Sequence, residues 1–343
     1  MHLFLGADEA SPFLIEELRR AAPARAHEIL QAGLVRSELD LVEQRLPVPL
    51  AFAWQALLNV QPARAGSIRA WHDLLWQTVT THLPQEQPWH LHVVSHYGVA
   101  GAGAHRCQLI REALRETLGR KRRSLRRLLR KAPVPFAPAD SLVQLLLTGP
   151  DAGWLSLLPA PAPFENRQVV SPFAKGEIPV AEDKSAPSRA FAKLVEAELR
   201  LGRRIGPGET CVDLGASPGS WTYVAVQRGA RVVAVDRSPL REDLMRTPLV
   251  RFEQGNAFTF EPPTPVDWLL CDVIAAPERS MKLLLQWLRR RWMRHFVVTI
   301  KFKGTGDYAQ LDLLKREAPS LATSFHLTHL CANRNEVCAF GSV

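Results

Sequence analysis

The clearest indication of the fold is the segment CVDLGASPGSWTYVAV, residues 211–226. It predicts a short buried strand that ends at Leu214, a loop that contains Gly215 and Gly219, and then a helix. Glycines in such a loop let the backbone turn tightly and approach a ligand beside the helix N-terminus. The next strand, RVVAVD, ends about twenty residues later at Asp236, whose carboxylate can accept hydrogen bonds from both ribose hydroxyls of an adenosine.

Strands and helices alternate around this loop from about residue 188 to the end of the chain. Aliphatic strands such as TCVDLG, VDWLLCD and HFVVTIKF are separated by helical segments such as ERSMKLLLQWLRRRWM. Continuous aliphatic strands that alternate with helices are typical of a mostly parallel, doubly wound α/β sheet. The last two strands, LATSFHLTHL and EVCAFGSV, flank the short turn ANRN and are expected to pair antiparallel. Residues 188–343 are therefore predicted to form a Rossmann-like domain.

The first half of the chain has a different pattern, which predicts an α+β arrangement. Residues 1–55 are predicted to form a small α/β subdomain, with HLFLG as a strand and PFLIEELRRAA as a helix. Residues 56–165 continue as a helix, a strand, a second helix interrupted at Gly119, and a hairpin around a Gly-Pro-Asp turn. Residues 166–187 are rich in proline and turn residues and are predicted to be a linker.

Basic residues are concentrated in one segment of this first half. The net charge of the chain is +9, and residues 111–131 alone hold ten Arg or Lys against two Glu. A concentrated basic stripe predicts a phosphate-binding surface, although a charge run can also be a solvated helix face. The candidate contacts are Arg120, Lys121, Arg122, Arg123, Arg126, Arg127 and Arg130. A smaller cluster, Arg289, Arg290, Arg291 and Arg294, either extends this surface or is simply solvated.

Composition narrows the class of protein further. The sequence holds no uninterrupted apolar run of about 18 residues, so no membrane span is expected. Its first residues lack a basic stretch before an apolar run, so no secretory signal is expected. Five cysteines without a CxxC pair favour a reducing, cytoplasmic location. His90 and His92 have a spacing that can bind a metal, but no cysteine or carboxylate cluster accompanies them, and we expect no metal.

Four segments carry a resemblance to a known family. SAPSRAFAKL, LLCDVIAAP, FVVTIKFKGTGDY and NRNEVCAF resemble the RlmM family of 23S ribosomal RNA 2′-O-ribose methyltransferases, with the FtsJ group as more distant relatives. The resemblance is dense over residues 185–340 and weaker in the first half, which resembles the THUMP-containing, RNA-binding region of that family. It implies a catalytic tetrad of Lys193, Asp272, Lys301 and Glu336.

The resemblance also implies S-adenosyl-L-methionine as cofactor. The expected cofactor contacts are Asp213, Gly215, Ala216, Ser217, Pro218, Gly219, Ser220, Trp221, Asp236, Asn256 and Asp272. The chain departs from the family pattern at Ser217 and Ser220 in the loop, and at Asn256, where relatives often place an aspartate near the adenine. An amide oxygen can still accept a hydrogen bond from the exocyclic amine of adenine.

The residue types of the tetrad suit deprotonation of a ribose hydroxyl. The enzyme must remove a proton and align oxygen, methyl carbon and sulfur. A lysine acts as a base only when its amine is neutral, and its ordinary pKa of roughly 10.4 falls on burial or beside a second ammonium. We expect Lys301 to be the base, with Lys193, Asp272 and Glu336 positioning it and the ribose. Lys303, two residues further along the strand, is a competing candidate.

The sequence therefore predicts a methyltransferase that modifies the 2′-hydroxyl of RNA. The resemblance implies a cytidine of large-subunit ribosomal RNA as the target, RNA as the partner, and neither DNA nor a membrane. One alternative is a non-catalytic RNA-binding protein with a vestigial methyltransferase fold. Another is a nicotinamide dehydrogenase, although the Gly215-x-x-x-Gly219 spacing departs from the GxGxxG pattern of such enzymes. The sequence leaves the oligomeric state open.

Overall fold

A computed structural model describes residues 1–41, 50–98, 102–131, 133–302 and 307–343 of the protein. The chain divides into two compact units. The first unit ends at Glu177, and the second runs from Ile178 to Val343 and also takes in Ala51.

The first unit begins with a small antiparallel sheet packed against one helix. Its elements are β1 (His2–Leu5), α1 (Ser11–Ala21), β2 (His27–Gln31), β3 (Leu34–Ser37) and β4 (Gln55–Leu57). The strand order is β2-β3-β1-β4. The helix predicted from PFLIEELRRAA is present as α1, which turns the buried side chains of Leu14 and Leu18 inward.

A second sheet in the same unit carries the basic segment. Its elements are β5 (Gln61–Arg64), α2 (Ile68–His82), β6 (Trp89–Ser95), α3 (Ala102–Lys121), α4 (Arg123–Leu128), β7 (Ser141–Leu147) and β8 (Ala152–Leu158), followed by the short helix α5 (Phe164–Val169). The strand order is β5-β8-β7-β6, in which only β6 and β7 pair parallel. The predicted helix–strand–helix–hairpin order is present. Helix α5 lies partly within the stretch predicted to be a linker.

The break in the basic helix lies at Arg122 and not at Gly119, where the sequence pattern placed it. Gly119 lies inside α3, whereas Arg122 has the non-helical dihedral angles φ −144° and ψ 65°. The break lets Leu118 and Leu125 both pack into one buried core. The indole N–H of Trp89 also donates a hydrogen bond to the carbonyl oxygen of Leu125 at 2.9 Å. Tertiary packing therefore sets the position of the break.

The second unit is built on one seven-stranded sheet. Its elements are α6 (Phe191–Leu201), β9 (Thr210–Leu214), α7 (Ser220–Gln227), β10 (Arg231–Asp236), α8 (Glu242–Arg246), β11 (Val250–Gln254), β12 (Val266–Cys271), α9 (Pro277–Arg290), β13 (Met293–Lys301), α10 (Leu311–Glu317), β14 (Ser324–Thr328) and β15 (Glu336–Ser342). The strand order is β11-β10-β9-β12-β13-β15-β14. The first five strands in that order are parallel, and β15 runs antiparallel to both of its neighbours. The predicted doubly wound fold is confirmed.

This topology brings several loop ends to one edge of the sheet. The strand order reverses between β9 and β12, and ligands of open α/β sheets bind beyond the carboxyl ends of the strands at such a reversal. Because β15 is antiparallel, its first residue reaches the same edge, and Glu336 pairs in register with Lys301, the last residue of β13. The edge therefore receives side chains from parallel and antiparallel strands together.

The packing of β15 leaves no room for a side chain at Gly341. A Cβ atom there would lie 2.0 Å from the backbone oxygen of Ser324 and 2.9 Å from Cζ of Phe296. Neither atom belongs to the flexible end of a long side chain. Any larger residue at position 341 therefore forces a backbone shift where β14 and β15 pair.

We expect Gly341→Ala to lower the free energy of unfolding by about 1–3 kcal/mol, the usual cost of overpacking a core. Urea denaturation followed by circular dichroism measures the loss. Gly206→Ala is the matched control, because a Cβ atom there meets nothing closer than Oε2 of Glu209 at 3.6 Å. Equal stabilities of the two variants would show that β15 is packed less tightly than the structure indicates.

Candidate functional site

The four side chains of the predicted tetrad come together at this edge of the sheet. Nζ of Lys193 lies 2.5 Å from Oε1 of Glu336 and 3.4 Å from each carboxylate oxygen of Asp272. Nζ of Lys301 lies 3.0 Å from Oδ1 of Asp272 and donates to the backbone oxygen of Asp272 at 2.8 Å. Two lysines and two carboxyl groups thus form one connected network.

Each member of the network comes from a different element of the fold. Lys193 lies in the first turn of α6, and Asp272 follows the last residue of β12. Lys301 ends β13, and Glu336 begins the antiparallel strand β15. The competing candidate, Lys303, lies outside the described residues. The fold therefore joins positions that are far apart in the sequence.

The two lysines differ in their electrostatic surroundings. Burial alone would lower the pKa of Lys193, but the carboxylates of Asp272 and Glu336 outweigh it and raise the pKa above its ordinary value. Lys193 is therefore held as a cation. Lys301 contacts one carboxylate only, that of Asp272, among the residues that the structure describes.

A cavity of about 460 Å³ opens beside the network. Ten of the predicted cofactor contacts line it, namely Asp213, Gly215, Ala216, Ser217, Pro218, Ser220, Trp221, Asp236, Asn256 and Asp272. The exception is Gly219, whose role is conformational. It has a φ of 108°, and a Cβ atom there would lie 2.3 Å from Cδ1 of Leu244 in the short helix α8.

The turn at the end of β9 depends on a second glycine. Gly215 has a φ of 74°, and a Cβ atom on it would lie 2.9 Å from Val273. The loop can therefore lie directly against the residue that follows Asp272. This close approach joins the glycine loop and the tetrad into one site.

Two further polar side chains of the cavity, those of Asp236 and Asn256, are oriented by backbone N–H groups. The carboxylate of Asp236 accepts hydrogen bonds from the N–H groups of Ser217 at 3.0 Å and Ser238 at 2.9 Å. Oδ1 of Asn256 accepts one from the N–H of Phe258 at 3.1 Å. Each of these oxygens keeps a second lone pair with which it can accept a ligand hydrogen bond.

Asp213 is the most deeply buried carboxyl group of the cavity. It is 1% exposed, and its Oδ2 accepts a hydrogen bond of 2.6 Å from Oγ1 of Thr222 in α7. Burial raises the pKa of Asp213 to about 7, with Asp272 adding to the shift and the hydrogen bond from Thr222 opposing it. A cationic ligand in the cavity would offset this cost of ionisation.

Several residues of the site were not expected from the sequence. Thr222 holds Asp213, and the hydroxyl groups of Ser188 and Ser220 are 2.7 Å apart at the start of α7. Phe258 and Arg279 also line the cavity. The indole of Trp221 is nearly buried and donates to the backbone oxygen of Ala190 at 2.8 Å, so it mainly ties α7 to the segment before α6. No motif in the sequence marks these side-chain pairings.

Comparison with known proteins places this geometry in a family. Residues 186–307 match the family model described as FtsJ-like methyltransferase. This part of the chain is an FtsJ-like methyltransferase domain. The sequence resemblance is thereby confirmed for the second half of the chain.

The FtsJ-like domain is similar to proteins named ribosomal RNA large subunit methyltransferase M. The protein from Marinomonas sp. (strain MWYL1) is 36% identical over 166 residues, which cover 45% of this chain and 47% of the relative. The protein from Halorhodospira halophila (strain DSM 244 / SL1) is 45% identical over 163 residues, which cover 46% of this chain and 47% of the relative. The matched region is thus about half the length of these curated relatives.

Among solved structures, a putative hemolysin from Lactococcus lactis superposes with a TM-score of 0.38 and 19% sequence identity. The superposition covers 46% of this chain and 88% of that one. A similarity of this size does not bear on function.

The basic segment of the first unit lies mainly at the surface. Six of its seven candidate contacts are exposed, and Arg126 is half-buried. Arg120 pairs with Glu116 at 3.2 Å and Arg130 with Asp140 at 3.3 Å. Four of the exposed candidates have no carboxylate partner among the described residues, namely Lys121, Arg122, Arg123 and Arg127. We refer to these four as the unpaired cations.

Like charges crowd one another in the same segment. Burial, together with the neighbouring cations Arg111 and Arg126, lowers the pKa of Arg115 below its ordinary value. In the smaller cluster of the FtsJ-like domain, Arg289 pairs with Glu317 and Arg294 with Asp267, which leaves only Arg290 and Arg291 without a carboxylate partner among the described residues. The excess positive charge is therefore least compensated in the first unit.

The histidine pair in the first unit makes ordinary hydrogen bonds. A ring nitrogen of His90 lies 3.1 Å from Asp140, and one of His92 lies 3.3 Å from the side-chain amide of Gln55. Across the described ranges, no group of three or more His, Cys, Asp or Glu side chains is arranged to hold a metal ion. The same ranges contain no helix that is both long and apolar enough to span a membrane.

The raised pKa of Asp213 makes a prediction about stability. Because the native carboxyl group keeps its proton up to about pH 7, whereas the unfolded one loses it near pH 3.9, folding becomes less favourable as the pH rises between these values. Asp213→Asn removes this penalty. We expect the stability of the variant relative to the wild type to increase by about 3 kcal/mol between pH 4.5 and pH 7.5.

Urea denaturation at the two pH values measures this difference. Glu278→Gln, which changes an exposed carboxyl group at the start of α9, is the control and should show no such pH dependence. A stability difference between Asp213→Asn and the wild type that stays constant with pH would contradict the burial of a titrating Asp213.

Proposed function

We propose that this protein is an S-adenosyl-L-methionine-dependent RNA 2′-O-ribose methyltransferase that acts on large-subunit ribosomal RNA in the cytoplasm. The observation that carries the proposal is the network of Lys193, Asp272, Lys301 and Glu336, of which Asp272 and Lys301 line a cavity in an FtsJ-like domain. The name of the relatives, ribosomal RNA large subunit methyltransferase M, supports the choice of RNA.

The residues of the cavity fit the proposed cofactor. Asp236 would accept hydrogen bonds from the ribose hydroxyls, Asn256 would contact the adenine, and the glycine loop would lie against the amino-acid end. Asp213, a carboxyl group whose ionisation is costly in the free protein, suits a ligand that carries positive charge. When bound, S-adenosyl-L-methionine supplies an electrophilic methyl group on a cationic sulfur.

The hydrogen-bond geometry of the two lysines supports different roles for them. Lys193 faces three carboxylate oxygens, which matches the three N–H donors of an ammonium group. Lys301 contacts two oxygens of Asp272, which matches the two N–H donors of a neutral amine and leaves one lone pair. We infer that this lone pair accepts the proton of the ribose 2′-hydroxyl.

The remaining residues complete the proton transfer. After the transfer, the carboxylate of Asp272 stabilises the protonated Lys301 at 3.0 Å. Glu336, 2.5 Å from Lys193, keeps that lysine oriented toward Asp272. The network thus returns to its starting charge when the proton leaves to solvent.

Removal of the proposed base tests this function. We expect Lys301→Ala to lower kcat for methyl transfer to RNA by at least about 100-fold, because general base catalysis contributes on that order. Lys301→Arg should be equally inactive, since a guanidinium group cannot give up its proton in a protein. The cofactor Kd should change little in either variant.

The assay follows labelled methyl groups from S-adenosyl-L-methionine into large-subunit ribosomal RNA from cells that lack this protein. Mass spectrometry of the released nucleosides shows whether the product is a 2′-O-methyl ribose. Lys282→Ala, an exposed lysine of α9, is the matched control. Full activity of Lys301→Ala would exclude Lys301 as the base and leave Lys303 as the candidate.

We further propose that the first unit binds the RNA. In this proposal residues 1–55 form a small subdomain, residues 56–165 form a THUMP-like RNA-binding domain, and residues 166–187 lead to the methyltransferase domain at 188–343. The unpaired cations support it, because a cation without a carboxylate partner is free to pair with phosphate. The ring of Trp76 lies beside one of them, with its centroid 6.0 Å from Nζ of Lys121.

The salt dependence of RNA binding tests this part of the proposal. We expect the combined variant Arg122→Gln, Arg123→Gln, Arg127→Gln to reduce the slope of log K against log salt by about two units, because each lost phosphate contact removes about 0.7. Filter binding of the same ribosomal RNA over a salt series measures the slope. The control combines Arg289→Gln and Arg294→Gln, whose parent residues form ion pairs. An unchanged slope in the triple variant would contradict an RNA contact in this segment.

A further inference from the structure

An apolar side chain stands almost fully in solvent beside the tetrad. Ile274 lies two residues after Asp272, in the loop between β12 and α9, and is 89% exposed. The other exposed large apolar residues in the described part of the chain, Met1, Ile29 and Met245, are 39–41% exposed. Ile274 therefore contributes little packing to its own fold, although it lines the cavity that holds Asp272 and Lys301.

A cation is held at the rim of the same cavity. Arg279, in the first turn of α9, places Cζ of its guanidinium 4.0 Å from the centroid of the Phe258 ring. It is exposed and forms no ion pair with any carboxylate that the structure describes. Stacking on an aromatic ring orients a guanidinium while its N–H donors stay available. Arg279 is thus an oriented donor without an anion.

The proposed cofactor does not supply that anion. Arg279 lies beside Phe258 and near Asn256, which is the end of the cavity assigned to the adenosine. S-adenosyl-L-methionine carries its carboxylate at the opposite, amino-acid end. An anion for Arg279 therefore has to come from a second molecule, and the substrate of the proposed reaction has a phosphate at every nucleotide.

We propose that Ile274 and Arg279 form a contact site for one RNA nucleotide at the rim of the cavity, with Ile274 against the face of its base and Arg279 against its phosphate. A nucleotide presents an apolar base face and an anionic phosphate, and an apolar side chain and a guanidinium without a carboxylate partner that line one cavity can contact both. The inference rests on the proposed function and adds an RNA contact in the FtsJ-like domain itself.

The test compares variants of the two residues in the full chain. For Arg279→Gln we expect the KM for deproteinised large-subunit ribosomal RNA to rise about tenfold, and the slope of log K against log salt to fall by about one unit. Arg279→Lys should keep the salt slope. For Ile274→Ser we expect KM to rise about threefold with an unchanged salt slope, because an apolar contact releases no counterions.

Matched controls separate these effects from general surface changes. Met245→Ser replaces another exposed apolar residue, in α8, and Arg251→Gln replaces an arginine on the edge strand β11; both should leave KM unchanged. Thermal unfolding verifies that every variant folds. The cofactor Kd without RNA should stay within about twofold of the wild-type value for Ile274→Ser and Arg279→Gln.

Two readouts distinguish failure of this inference from failure of the proposed function. RNA affinity and its salt dependence are measured by filter binding without turnover, so they decide the inference even if no methyl group is transferred. Unchanged affinity, KM and salt slope in both variants would overturn it while leaving the methyltransferase proposal intact. It is also overturned if Ile274→Ser weakens cofactor binding without RNA and leaves RNA binding unchanged, because Ile274 then packs on the cofactor.

Discussion

The cation of Lys193 between the carboxylates of Asp272 and Glu336 is the interaction on which the site depends. Lys193 and Glu336 are each 9% exposed, and a charge taken out of water at that depth is costly unless it is paired. Lys301 joins the network through the carboxylate of Asp272. Loss of Lys193 would leave Asp272 and Glu336 without the cation that they share, so the positions of all three side chains depend on this pairing.

The same constraint explains why the sheet ends in an antiparallel pair. A parallel strand begins at the edge of the sheet opposite the site, so it would carry its first residue away from the tetrad. Strand β15 is reversed, and its first residue, Glu336, therefore starts next to Lys301, where β13 ends. Gly341, near the other end of β15, allows the close approach of the backbone of β14. The parallel strands reach this edge of the sheet only with their carboxyl ends. The hairpin of β14 and β15 therefore places a carboxylate there from the first residue of a strand.

The strands of the second unit and the glycine loop could be predicted from the sequence, because aliphatic runs and glycines act locally. The break at Arg122 and the helix α8 could not. The break depends on contacts of Leu125 with residues distant in sequence, and α8 has only five residues, of which Leu244 alone is buried. For the site, resemblance gave the identities of the tetrad. The sequence pattern does not show in which direction a side chain points. It therefore could not show which lysine contacts both carboxylates, or that Asp213 pairs with Thr222.

The proposed roles of the basic residues require opposite degrees of burial and pairing in the two units. In the proposed function, the cations that bind phosphate are exposed and unpaired, as Arg123 is, and their attraction is therefore screened by salt. In the proposed reaction, Lys193 is the cation that organises the proton transfer; it is buried and paired, and salt screens it far less. The excess positive charge is concentrated in residues 111–131, so the long-range field of the protein is set mainly by a segment that contains none of the tetrad residues. Substitutions in residues 111–131 can then change the attraction of an anionic partner without changing the proton transfer at the tetrad, and the reverse also holds.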